Sequence, residues 1–63
     1  MSDDFNMSMR KFLKQVGVTS QQQIEAAMRK AGGGTGQTFD VKVVLTMPGL
    51  ALEHEVTGKI DGA

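Results

Sequence analysis

Apolar residues recur with a helical period along the first part of the chain. Phe5, Met9, Phe12, Leu13 and Val16 fall at i, i+4, i+7, i+8 and i+11, which puts them on one stripe of an α-helix. The spacing predicts a helix over residues 4–16. Ser2, Asp3 and Asp4 stand where cap oxygens and negative charge suit a helix N-terminus, and Arg10, Lys11 and Lys14 follow away from the stripe. Gly17 is read as the stop, because a glycine just past the last turn adopts a left-handed conformation at little cost. A second helix is expected over residues 20–31. Thr19 with Gln22, or Ser20 with Gln23, has the spacing of a capping box, and Ile24, Ala27, Met28 and Ala31 form a short stripe.

Gly32, Gly33, Gly34 and Gly36 then interrupt the pattern, and residues 32–37 are expected to be a flexible linker. Beyond it the period changes from 3.6 to 2. Phe39, Val41, Val43, Leu45 and Met47 alternate with mostly polar residues, predicting a strand over 38–46. Pro48-Gly49 marks a turn, and Leu50, Leu52, His54, Val56 and Ile60 share one face of a second strand over 51–60. Apolar residues are odd-numbered in one strand and even-numbered in the other, so facing residues must sum to an odd number. A four-residue loop from Met47 to Leu50 would pair Leu45 with Leu52, Val43 with His54, Val41 with Val56 and Phe39 with Gly58. It would also set Lys42 opposite Glu55, a favourable cross-strand charge pair. The expected fold is α+β: two N-terminal helices followed by a C-terminal β-hairpin packed on them, in one small domain. A two-stranded sheet is marginal alone, so its apolar face needs the helical stripes.

Composition narrows the chemistry. In 63 residues there is no cysteine, so neither a disulfide nor a thiolate metal site supports the fold, and self-association is the remaining staple. Cytoplasm is the expected compartment. No wholly apolar run is longer than Val43 to Leu45, so neither a membrane span nor a signal-peptide core is expected. Formal charge is zero, split as +2 over residues 1–31 (five basic, three acidic) and −2 over residues 32–63 (two basic, four acidic).

Chemical motifs are weak. Residues 32–38, GGGTGQT, superficially suggest a phosphate loop, but Gln37 stands where lysine is needed, and the loop runs from helix to strand. Glu53-His54-Glu55 cannot share a metal ion, because neighbours in a strand point to opposite faces. No nucleophile elbow surrounds any Ser or Thr that the lone histidine could activate. No enzyme activity, metal or cofactor is therefore expected. The alternative for residues 11–31 is a helix-turn-helix, with Gly17 in its corner and Gln21, Gln22 and Arg29 as DNA contacts. The slight basic excess and the lack of a third helix disfavour nucleic acid.

The expected partner is a second copy of the chain, with room for another protein partner. Phe39, Val41, Val43 and Leu45 mark the association edge, because strand one carries only Asp40 and Lys42 as charges, whereas Glu53, Glu55, Gly58 and Lys59 guard strand two. His54 is expected on the inner face between Leu52 and Val56, where burial would hold it neutral and make it pH-sensitive.

The block from Phe5 to Gln22, FNMSMRKFLKQVGVTSQQ, with Ile24-Glu25 and later Gly49-Leu50 and Leu52-Glu53-His54-Glu55, resembles a family of short bacterial proteins catalogued as a domain of unknown function. The likeness spans nearly the whole chain, and the glycine-rich linker departs from the more charged connection of that family. It implies a small bacterial cytosolic protein and adds no site residue.

Overall fold

The computed structural model describes residues 2–62. The chain divides into two compact units, Met1–Ala31 and Gly32–Ala63. The first is a single helix, α1 (Asp3–Lys30), and the second is an antiparallel hairpin of β1 (Thr38–Met47) and β2 (Leu52–Asp61).

One helix replaces the expected two, and the reason lies at residues 17–20. Ending a helix at Gly17 and restarting it would leave backbone donors and acceptors without partners on both sides of the break. Carrying glycine through a helix costs only about 1 kcal/mol. The hydroxyl expected to cap a second helix bonds backwards instead: Thr19 Oγ1 donates to the Gln15 carbonyl at 2.8 Å, one turn earlier. The start of α1 is as expected. Ser2 Oγ accepts from the Phe5 N–H at 3.2 Å, Asp3 and Asp4 occupy the first turn, and Arg29 and Lys30 occupy the last.

After the C-cap Ala31, the backbone turns through Gly32, Gly33, Gly34 and Gly36, all with positive φ. Hydrogen bonds hold this loop. The Gln37 N–H donates to the Gly34 carbonyl at 2.9 Å, and the Gly62 N–H donates to the Gln37 carbonyl at 2.8 Å. The end of β2 thus docks on the glycine loop. A Cβ at Gly62 would fall inside the van der Waals envelope of the Gly34 carbonyl, so this contact requires glycine.

The hairpin keeps the expected parity but is shifted by two residues. Its pairs are Phe39 with Ile60, Val41 with Gly58, Val43 with Val56, Leu45 with His54 and Met47 with Leu52. The loop is again four residues long but runs from Pro48 to Ala51. Ala51 adopts the left-handed region at φ 50° and donates its N–H to the Pro48 carbonyl at 3.2 Å. Sliding the loop by one residue puts large apolar side chains opposite each other at 39/60, 43/56 and 47/52. The expected register gave Phe39 only a glycine. On the other face Asp40 lies opposite Lys59, with Nζ to Oδ1 at 2.6 Å. Lys42 stands opposite Thr57 and reaches Glu55 diagonally at 3.7 Å, so the foreseen ion pair forms without the foreseen register.

Candidate functional site

No apolar side chain among the described residues is buried in the single chain. On α1, Phe5, Met9, Phe12 and Leu13 expose between 41% and 55% of their surface, though they lie along one stripe. Val16, Ile24 and Met28 on α1, and Phe39, Val41, Leu45 and Ile60 in the hairpin, are half-buried. Exposed large apolar side chains in contiguous array, unlike scattered ones, mark surfaces that another molecule covers.

In the hairpin, Phe39, Val41, Val43 and Leu45 share one face of β1, as expected from alternation, and β1 has a free edge because the sheet holds two strands. The charges on that strand are both engaged across the hairpin: Asp40 with Lys59 and Lys42 with Glu55. All four groups are well exposed, so each pair contributes about 0–1 kcal/mol to stability.

His54 faces Leu45, not Val43, and is exposed. The burial expected of it between Leu52 and Val56 is not found in the single chain. The DNA-contact set also loses its geometry. Gln21, Gln22 and Arg29 lie on a continuous helix with no turn before them, and Gln21 Nε2 donates to Glu25 Oε1 at 2.9 Å along the same helix. Gln22 and Arg29, seven residues apart, share a face, while Gln21 lies about 100° away.

A shallow depression crosses the hairpin where Gly58 offers no side chain beside Val41, with Asp40, Lys42, Thr57 and Lys59 around it. It lacks the enclosure that small-molecule sites use to desolvate a ligand. Among the described residues no three His, Asp or Glu side chains come together, and no helix is long and apolar enough to cross a membrane.

A family model for a family of unknown function, DUF6494, matches residues 1–63, the whole chain. The chain belongs to this family. Comparison with curated proteins found no match, and comparison with solved structures found none. For this DUF6494 chain, then, the surfaces themselves carry the functional argument. Sequence reasoning missed the longest of them, the uninterrupted stripe of α1. Its signal was present, since Val16, Ser20, Ile24, Ala27 and Ala31 continue the phase of Phe5, Met9 and Phe12 straight through Gly17.

Proposed function

We propose that this DUF6494 chain is a non-catalytic module that works by associating with a second copy of itself, in the cytoplasm. One observation supports the reading above others: among the described residues every apolar side chain is exposed or only half-buried, in two ordered arrays. A two-stranded sheet in water is marginal, and most helical stability comes from covering an apolar face. Association supplies that cover. The absence of cysteine suits a reducing compartment.

The contact assigned to the hairpin is β1 against β1 of the second copy, antiparallel, about a two-fold axis at Val43. That register pairs Val43 with itself, Val41 with Leu45 and Phe39 with Met47, keeping one face apolar across four strands. On the other face Asp40 meets Thr46 and Lys42 meets Val44, so no like charges are opposed. Light scattering over a concentration series tests the reading. An even multiple of the chain mass is expected at micromolar concentration, and a monomer persisting at hundreds of micromolar refutes it.

A further inference from the structure

We propose that α1 pairs antiparallel with α1 of a second copy, about a two-fold axis at residue 18; this rests on the self-association reading and adds a contact independent of the β1 edge. The stripe carries the argument because its positions are palindromic. From Phe5 the intervals to Met9, Phe12 and Val16 are four, three and four residues, and from Ala31 backwards to Ala27, Ile24 and Ser20 they are again four, three and four. Turning a second helix about residue 18 therefore sets Phe5 level with Ala31, Met9 with Ala27, Phe12 with Ile24, and Val16 with Ser20.

Side-chain size makes that register selective. The N-terminal half of the stripe is bulkier than the C-terminal half, so the Phe5, Met9 and Val16 layers each join a larger residue to an alanine or serine, as Met28 does with Ser8, while Phe12 meets Ile24 and Leu13 meets Gln23. Facing positions that alternate large and small fill space evenly. A parallel pair in register would set Phe5 on Phe5 and Phe12 on Phe12 while leaving Ser20 and Ala27 facing themselves, crowded at one end and hollow at the other. Charge agrees. Arg29 and Lys30 in the last turn come level with Met7 and Asn6 of the second copy, about one turn or less along the helix from Asp3 and Asp4, and the two helix dipoles oppose. A parallel pair would stack acid on acid and base on base. At a rise of 1.5 Å per residue, α1 offers about 42 Å of seam.

Because the chain has no cysteine, introduced thiols report contacts without background. Full-length Met9→Cys and Ala27→Cys chains are mixed in equal amounts, allowed to exchange in a glutathione redox buffer, and their disulfides quantified by mass spectrometry. The mixed disulfide is expected in roughly tenfold excess over either symmetrical one, since only it is held at high effective concentration. Phe12→Cys with Ile24→Cys repeats the measurement at another layer, so loss of folding in one variant leaves the test intact. Symmetrical disulfides in excess would mean parallel helices and overturn the proposal, as would statistical proportions at both layers. Light scattering of the unmodified chain separates the two failures. A monomer defeats self-association itself, whereas a multimer with statistical disulfides defeats only the α1 contact and leaves the β1 edge standing.

Discussion

Replacing Gly17 with alanine separates a continuous α1 from a two-helix corner by the sign of one measurement. In the structure Gly17 lies inside α1 with ordinary helical geometry, and a Cβ added there meets nothing within 4 Å. The substitution then changes only helix propensity, and alanine is favoured over glycine by about 0.8–1.0 kcal/mol in a helix interior. For a domain of this size, that corresponds to a rise in melting temperature of roughly 4–8 °C. A left-handed corner at Gly17 would invert the effect, because the left-handed conformation costs a non-glycine residue about 1–2 kcal/mol. The two geometries are thus separated by some 2–3 kcal/mol, well outside the error of a thermal melt followed by circular dichroism at 222 nm. Both proteins must be compared at equal chain concentration, since association links stability to concentration. A lower melting temperature for Gly17→Ala, or unchanged stability with less helical signal, would refute the continuous helix.

The docking of Gly62 on the glycine loop makes the opposite prediction for Gly62→Ala. The added Cβ would displace the Gly34 carbonyl and break the Gly62-to-Gln37 hydrogen bond, costing at least about 1 kcal/mol in a denaturant titration; a neutral result would show that the loop yields freely. Ala51→Gly relieves a left-handed non-glycine residue and should raise hairpin stability by roughly 0.5–1 kcal/mol after glycine's entropy in the unfolded chain is counted. A lower melting temperature would count against that turn. Val43→Lys sets two ammonium groups against each other at the proposed two-fold axis, and should weaken association by about tenfold or more, near 1.4 kcal/mol, by sedimentation velocity. An unchanged dissociation constant removes the β1 contact. If association covers the apolar arrays, the melting temperature of the unmodified chain rises with its concentration, and a constant value would speak for a self-sufficient monomer.

Local signals in α1 were legible, but their order of strength was not. Ser2 as cap and acid in the first turn stand where sequence reasoning put them, whereas the base of the last turn, Arg29 and Lys30, lies beyond the helix end expected at Val16. Gly17, Thr19 and Ser20 misled because each has two roles that sequence alone does not rank. A glycine after an apolar stripe suits a helix stop, yet it is also tolerated inside a helix at about 1 kcal/mol. A Thr followed three residues later by Gln suits a cap, yet its hydroxyl satisfies itself equally by bonding to the carbonyl one turn back, as Thr19 does with Gln15. Local propensity could not decide, whereas the phase of the stripe could. A real corner has no need to keep Ile24 and Ala27 in line with Phe5 and Met9.

The hairpin divides in the same way. Parity was fixed by the alternation of apolar residues, because an error of one residue would have turned every side chain to the wrong face. An error of two residues reverses nothing, so alternation cannot detect it. What distinguishes the two registers is the loop, and the loop turns on Ala51 accepting a left-handed backbone that sequence reasoning reserves for glycine or asparagine. That local cost, about 1–2 kcal/mol, is offset by the gains at 39/60, 43/56 and 47/52 and by the short Asp40–Lys59 ion pair. In the observed register Asp40 stands opposite Lys59 and Lys42 is diagonal to Glu55, whereas the expected register would have put Lys42 opposite Glu55 and Asp40 diagonal to Lys59, so the charge pairs, like the alternation, are the same for two registers two residues apart.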